Sequence, residues 1–316
     1  MAFCRTFANL LLSGTIALAS AAHAAGITVH DARNREVAVN DFARTVAIGG
    51  AITEILYALG LESRLVGVDT TSLYPAAALQ DKPNVGYMRQ ISAEGVLGLN
   101  PTLILAIQGS GPRETMDILE TAKVPLVLVP ETFSEEGLIE KIRLVGHAMG
   151  VDARAECLST AVGADLAQLR ALRAKVTKPV RVMFVMSLQN GRAMVAGHKT
   201  AADEIIQLAG ATNAVNDYDG YKIIGDEAIV AARPEFVLSI ERGKESLQAD
   251  AIYAHPGFAL TPVAANKSFI TMDGHYLLGF GPRTAAAARD LSVKLYPALA
   301  AGGTFTSALS AANCRQ

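Results

Sequence analysis

The chain has 316 residues, of which 51% are hydrophobic and 18% are charged, and its formal net charge is −2. A weakly acidic chain lacks the basic surface that nucleic acids require, so we expect no nucleic-acid partner. The length is sufficient for two domains. Cys157 and Cys314 are too few for a disulfide framework, and the sequence leaves open whether they pair.

The first 25 residues have the pattern of a signal peptide. Arg5 precedes a short apolar run at 10–19, and Ala22-His23-Ala24 matches a small-x-small cleavage site. No cysteine follows at a lipid-attachment position, since Cys4 lies before the apolar run. We therefore expect segment 1–25 to be removed and a soluble chain to begin near residue 26, outside the inner membrane.

The segment after residue 26 predicts alternating strands and helices. Gly49-Gly50 follows a predicted strand, but neither G-x-G-x-x-G nor G-x-x-x-x-G-K is present, so we reject a nucleotide-binding loop. Alternation of this kind indicates a parallel sheet covered by helices on both faces. The predicted strands are 27–30, 35–39, 45–48, 65–68, 102–107 and 125–129, and the predicted helices are 53–59, 112–122 and 134–149.

A long helix is predicted at the middle of the chain. Residues 153–175 contain no proline and one glycine, and a helix of this length spans roughly 34 Å at 1.5 Å per residue. We interpret it as a rigid backbone helix between two lobes; one more helix packed on the first lobe is the alternative. The predicted domains are an N-terminal α/β lobe at 26–151, the linking helix at 152–178 and a C-terminal α/β lobe at 179–316.

The second half of the chain echoes the first. Segment 94–105 resembles segment 227–238, and both contain a helix pattern, a proline and a buried strand. The further predicted strands are 180–186, 235–240 and 268–273, with helices at 200–209 and 283–300 and a hairpin turn at Asn190-Gly191. We therefore predict an α/β fold of two Rossmann-like lobes with parallel sheets and a ligand cleft between them. Glu94 and Glu227 occupy equivalent positions and could form a docking pair.

A loop carrying Tyr87 and Arg89 lies just before the predicted helix of segment 92–99. Ser92 is a good N-cap, Glu94 places negative charge in the first turn, and the helix must end before Pro101. Loops in this position commonly contact ligands. The alternative is that Tyr87 only packs over the end of the helix.

Several segments together resemble the substrate-binding proteins of bacterial haem ABC importers, in the helical-backbone (class III) group that also binds cobalamin and ferric siderophores. The resemblance covers the whole chain after the signal peptide. It is carried by Gly86-Tyr87-Met88-Arg89-Gln90 with Ser92-Ala93-Glu94, Met194-Val195-Ala196-Gly197 with Thr200-Ala201-Ala202-Asp203, Gly220-Tyr221-Lys222, and Leu278-Gly279-Phe280-Gly281-Pro282-Arg283.

The resemblance implies a non-enzymatic periplasmic protein that carries b-type haem to an ABC permease dimer at the inner membrane. It implies that Tyr87 is the axial ligand to the haem iron and that Glu94 and Glu227 meet basic residues of the permease. Arg242 matches a family arginine that approaches the ligand tyrosine across the cleft; a solvated loop arginine is the alternative. We expect the protein to be a monomer.

Chemistry independently supports a tyrosine ligand. Ferric iron is a hard Lewis acid, phenolate is an anionic oxygen donor, and tyrosine is a known haem ligand. A free phenol has a pKa near 10, so binding at neutral pH needs help from the iron and nearby cations. Arg89 could give that help or pair with a propionate.

The sequence departs from the family at one place. Some members supply a second ligand, a histidine soon after the first strand of the second lobe, where this chain reads Met186-Ser187-Leu188-Gln189. Two stacked haems are therefore less expected, with His198 as the candidate second ligand and a structural histidine as its alternative.

Other functions are less well supported. Cobalamin or a ferric siderophore in the same fold is the nearest competitor, although the chain has no tryptophan to stack on a corrin or catecholate. A secreted enzyme is disfavoured because G-x-S-x-G and H-E-x-x-H motifs and a Cys-His signature are absent.

Overall fold

The structure is a computed structural model that describes residues 26–241, 246–301 and 305–316. The predicted signal peptide, 1–25, and Arg242 lie outside the described residues. Within the described part of the chain, no helix combines the length and the apolarity needed to cross a membrane.

The first lobe is built on a four-stranded parallel sheet. A hairpin of β1 (Ile27–His30) and β2 (Glu36–Val39) precedes it. The sheet has the order β4-β3-β5-β6, and its central strands are buried on both faces, as strands between two helical layers must be. Its strands are β3 (Thr45–Ile48), β4 (Leu65–Val68), β5 (Leu103–Ile107) and β6 (Leu126–Val129). Its helices are α1 (Gly50–Ala58), α2 (Ala77–Asp81), α3 (Ala93–Leu97), α4 (Arg113–Thr121) and α5 (Glu135–Ala148).

The predicted long helix is confirmed as α6 (Asp152–Arg173), which has 22 residues. Its buried side chains, such as Leu158 and Leu166, belong to one continuous apolar core that also includes Ile55 of α1 and residues of the second lobe. The helix is therefore packed along its length against both lobes. A disulfide joins Cys157 of α6 to Cys314, with Cα atoms 5.6 Å apart, which resolves the pairing that the sequence left open.

The second lobe contains a six-stranded mixed sheet in the order β10-β8-β7-β11-β12, with β9 also paired to β7. Its strands are β7 (Arg181–Gln189), β8 (Arg192–Ala196), β9 (Thr212–Asn213), β10 (Tyr221–Ile224), β11 (Phe236–Glu241) and β12 (Phe269–Asp273). Its helices are α7 (Ala201–Leu208), α8 (Asp226–Ala232), α9 (Ala249–Tyr253), α10 (Pro256–Ala259), α11 (Pro262–Asn266), α12 (Gly274–Leu278) and α13 (Thr284–Leu295), and α14 (Ala308–Ala311) packs on α6.

The predicted internal echo is present in the topology. In the second lobe β9, β7, β11 and β12 are joined by parallel pairings in the same order as β4, β3, β5 and β6 in the first. The second sheet is mixed because the Asn190-Gly191 turn sends β8 back antiparallel to β7, and β10 then pairs antiparallel with β8.

Two helix boundaries lie three or more residues from their predicted positions. The first helix starts at Gly50, three residues before the predicted start, because Gly49 turns the chain with φ 121° directly after β3. The last long helix ends at Leu295 and not at the predicted residue 300, because Pro297 follows. A short 3₁₀ turn begins at this proline.

A buried ion-pair cluster joins the two lobes. Glu54 of α1 is 5% exposed and accepts two hydrogen bonds from the guanidinium of Arg283, Nε to Oε1 and Nη2 to Oε2, each 3.0 Å long. Nε2 of His275 in α12 lies 3.5 Å from Oε2 of the same carboxylate. Burial alone would raise the pKa of Glu54, but the contacts from His275 and Arg283 outweigh it and lower this pKa below its usual value. Glu54 is therefore a carboxylate held between lobes.

We expect Glu54→Gln to lower the free energy of unfolding by about 3 kcal/mol at neutral pH, because it leaves the Arg283 guanidinium half-buried without its counter-charge. The folded pKa of Glu54 lies below the unfolded value of about 4.3, so the carboxylate stabilises the fold fully above that value. The difference in the free energy of unfolding between wild type and variant should become smaller as the pH falls through the lower pKa of Glu54 in the folded protein. Urea unfolding across a pH series measures it.

The matched control is Glu156→Gln, which removes a carboxylate from an exposed pair with Arg143. Solvent screens such pairs, so this variant should unfold with wild-type stability. Equal effects of the two substitutions would contradict a special role for the buried cluster.

Candidate functional site

The Tyr87 loop lies at the carboxyl edge of the first sheet. Helix α1 starts at the same edge, and the ion-pair cluster around Glu54 lies there too. Asn84 forms a parallel bridge with Val68 at the end of β4, and the loop begins two residues later. Gly86 has φ 98°, a conformation that suits glycine, and its nitrogen bonds to Oδ1 of Asn84. The bridge at Asn84 and the turn at Gly86 thus place Tyr87 on the side of the first lobe that faces the second lobe.

Backbone hydrogen bonds fix the loop on both sides. The carbonyl of Gly86 accepts from the amide of Thr70, which follows β4, over 2.9 Å. The carbonyl of Met88 accepts from Gly111, and the amide of Ile91 donates to Gly111, which follows β5. The loop is therefore tied to two other loops at the same edge, and it ends as predicted at Ser92, whose side chain caps α3.

Tyr87 and Arg89 are in direct contact. Nη1 of Arg89 donates a hydrogen bond of 2.9 Å to the phenolic oxygen of Tyr87. Both side chains are exposed, and Tyr87 retains 39% of its accessible surface. A guanidinium at this distance stabilises negative charge on the oxygen when it binds a metal cation. The alternative in which Tyr87 packs over the helix end does not fit this exposure.

Two other tyrosines, Tyr218 and Tyr276, are poorly suited to bind a metal. Burial raises the pKa of Tyr218 to about 12, and its hydroxyl donates to the carbonyl of Val195. Burial, with the charge of Asp290, raises the pKa of Tyr276 further, and its hydroxyl donates to that carboxylate. Both remain neutral phenols with their protons engaged.

A second loop at this edge reaches the other lobe. Asp69 is fully buried and accepts hydrogen bonds from the amides of Gly49 and Thr71, which fixes the start of the loop. Four residues beyond Thr70, the ring of Tyr74 lies 3.5 Å from the guanidinium of Arg283, measured from Cζ to the ring centroid. Since Arg283 is held by Glu54, the ring is fixed as well.

Glu94 and Glu227 lie at equivalent points of the two lobes. Glu94 is in the first turn of α3, which leads to β5, and Glu227 is in the first turn of α8, which leads to β11. Both are exposed, and neither forms an ion pair with another residue in the described ranges. They are available to a partner.

The structure does not bring His198 to Tyr87. His198 follows β8, its Nδ1 lies 3.2 Å from Oδ2 of buried Asp203, and Asn213 donates to the other oxygen of that carboxylate. It lines a separate cavity of about 590 Å³ together with Arg173 at the end of α6.

Within the described ranges, no three His, Cys, Asp or Glu side chains are grouped so as to hold a metal ion. The arrangement at the carboxyl edge instead offers one phenolic oxygen with an adjacent cation. A phenolic oxygen of this kind is a suitable single ligand for a hard cation whose other positions are filled by its own organic ligand.

Two features of this edge were missed by sequence reasoning. The sequence pattern places Glu54 in a predicted helix but does not indicate its buried ion pair. It also does not indicate the contact between Tyr74 and Arg283. The available signals were a glutamate within the apolar run 50–59 and a Tyr-Pro pair in a loop directly after a strand.

Family comparison agrees with this geometry. Residues 46–276 match the family described as periplasmic binding protein, and the chain belongs to that family. Its fold of two α/β lobes is that of the substrate-binding proteins of ABC transporters, which are not enzymes.

Two solved structures are similar over most of the chain. The periplasmic heme-binding protein RhuT from Roseiflexus sp. RS-1 is 38% identical with a TM-score of 0.77, and the match covers 82% of this chain and all of that one. The periplasmic heme-binding protein BhuT in complex with two hemes is also 38% identical with a TM-score of 0.77, covering 81% of this chain and 98% of that one.

Curated relatives are more distant. An uncharacterized ABC transporter substrate-binding lipoprotein, YvrC of Bacillus subtilis, is 25% identical over 86% of each chain. A vitamin B12-binding protein of Vibrio campbellii is 24% identical over 62% of this chain and 70% of its own. The similarity to heme-binding proteins is therefore the stronger of the two.

Proposed function

We propose that this protein binds haem between its lobes through Tyr87 and delivers it to an ABC permease. The observation that carries the proposal is the 2.9 Å hydrogen bond from Arg89 to the phenolic oxygen of an exposed tyrosine at the facing edge of the first lobe. The similarity to two heme-binding proteins at 38% identity supports the same ligand.

Tyr87 is the axial ligand in this proposal, and the transported ligand is b-type haem. Phenolate stabilises ferric iron, and the guanidinium of Arg89 stabilises the charge on the oxygen. The proposal includes Arg242 as a further binding residue, on the strength of its match to the family arginine in the sequence alone. The lobes are 26–151 and 179–316, joined by 152–178.

The site of action in this proposal is the periplasm, which the protein reaches by means of a cleaved signal peptide at 1–25. It acts as a monomer there. The family match supports an extracytoplasmic carrier.

The partner in this proposal is a permease dimer that meets Glu94 and Glu227. Support comes from their exposure and from their matching positions in the first turns of α3 and α8. Exposed charges of this kind mainly affect the rate at which the two proteins meet and the orientation in which they dock. Docking should therefore weaken as the salt concentration rises.

Tyr87→Phe tests the ligand assignment. The substitution keeps the ring and removes only the oxygen of an exposed side chain, so the melting temperature of the ligand-free protein should not change. In a hemin titration the phenolate charge-transfer band should disappear, and the Kd should rise by about tenfold or more, a loss of about 1.4 kcal/mol or more.

The matched control is His198→Ala, which changes a histidine in the separate cavity and should leave the hemin spectrum as in wild type. A wild-type spectrum in Tyr87→Phe, or loss of the band in His198→Ala, would contradict the proposal. Saturable binding of cobalamin or a ferric siderophore by wild type, with no saturable change in the Soret band of hemin, would establish the competing ligand.

Charge reversal of Glu94 and Glu227 to Lys tests docking. Because both side chains point to solvent, the hemin titration should be unchanged, whereas haem transport in vesicles with the reconstituted permease should stop. Glu36→Lys, an exposed glutamate on the β1–β2 hairpin, serves as the control and should transport normally. Transport that persists in the double variant would refute this role.

A further inference from the structure

We propose that Leu73 and Tyr74, here called the apolar ledge, form a second contact surface that packs against the porphyrin macrocycle. This inference rests on the proposed function, because it takes the ligand to be a porphyrin. It adds a surface that recognises the ring itself, independently of the iron.

Exposed apolar side chains are concentrated at one place. Six large hydrophobic side chains are exposed in the described ranges, namely Leu73, Tyr74, Tyr87, Ile118, Tyr221 and Leu260. Three of these six are on the two loops that follow β4 at the carboxyl edge of the first sheet. Single exposed apolar residues are ordinary, but a group at a site facing another lobe indicates a binding surface.

The ledge and the Tyr87 loop form one unit. The amide of Thr70 donates to the carbonyl of Gly86 over 2.9 Å, which joins the two loops next to Tyr87. The ledge begins three residues after Thr70. The backbone therefore joins the ledge directly to the loop that carries Tyr87.

The orientation of the ledge is fixed before any ligand binds. One side of the Tyr74 ring contacts the guanidinium of Arg283 at 3.5 Å, and Arg283 is in turn bound by both oxygens of Glu54. Tyr74 still exposes 45% of its surface, and Leu73 exposes 53%. Because Arg283 already has its carboxylate partner, this face offers apolar and aromatic contact.

The chemistry of this surface suits a flat, apolar ring system. A leucine and a held aromatic ring contact a macrocycle by burial of apolar area and by stacking, at little cost in conformational entropy. The guanidinium of Arg89 can then contact the polar edge of the ligand or the phenolic oxygen of Tyr87. Iron binding and ring binding are thus assigned to different residues.

Metal-free protoporphyrin IX separates the two contributions, since it has the ring and no iron. Leu73→Ser should weaken binding of both metal-free protoporphyrin IX and hemin by about tenfold, because it removes the apolar area that the ring covers. The phenolate band of bound hemin should remain. Tyr87→Phe should weaken hemin alone.

Ile118→Ser is the matched control, because Ile118 on α4 is also 53% exposed and is not on either loop. It should bind both compounds as wild type does. Tyr74→Ala gives a second test of the ledge and should also weaken metal-free protoporphyrin IX, with the melting temperature of the ligand-free protein measured alongside.

Wild-type affinity of Leu73→Ser for metal-free protoporphyrin IX would overturn the ledge while leaving the role of Tyr87 intact. Equal weakening by Ile118→Ser would also overturn it. Conversely, a wild-type hemin spectrum in Tyr87→Phe together with weak ring binding in Leu73→Ser would refute the iron assignment and support the ledge.

Discussion

The buried ion pair between Glu54 and Arg283 is the interaction on which the arrangement of this molecule depends. It joins α1 of the first lobe to the start of α13 in the second, with two guanidinium nitrogens, Nε and Nη2, on one carboxylate at 3.0 Å. Burial of two charges is costly, and only good geometry with additional hydrogen bonds offsets that cost. The bidentate contact and the amide of Arg283 on Oε1 provide this geometry, and Nε2 of His275 lies 3.5 Å from Oε2.

The consequence is a pair of lobes whose facing edges are held in register. The apolar core that runs through α1, α5, α6, α7 and α13 crosses the boundary between them, and Lys141 of α5 donates to the carbonyl of Phe280 from the first lobe to the second. These contacts lie beside the loops that carry Tyr74 and Tyr87. The protein therefore presents its exposed tyrosine and arginine from a firm support, so that little ordering remains for the ligand to impose.

Helices and strands with a strong hydrophobic pattern can be predicted from the sequence. Buried strands such as β3 and β5 and the proline-free α6 were found because apolar runs and the absence of breakers are local properties. The resemblance of segment 94–105 to segment 227–238 predicted two similar lobes, and the structure adds that their parallel strands share one order. The loop carrying Tyr87 was placed correctly before α3, because Ser92 and Pro101 bracket that helix.

What the sequence could not supply depends on contacts between distant residues. A glutamate within the apolar run 50–59 is a local signal, but its partner Arg283 is 229 positions away and no local pattern identifies it. The disulfide at Cys157 depends on how the C-terminal segment returns to α6, which no spacing rule determines. The separation of His198 from Tyr87 likewise follows from the direction of β8, which runs back from the Asn190-Gly191 turn and carries His198 to the cavity beside α6.

The most direct test of the account is a crystal structure of the protein bound to hemin, with the iron located by anomalous scattering at its absorption edge. We predict an iron between the lobes within bonding distance of the phenolic oxygen of Tyr87. An iron held in the cavity beside His198, or one between the lobes with no bond to Tyr87, would contradict it.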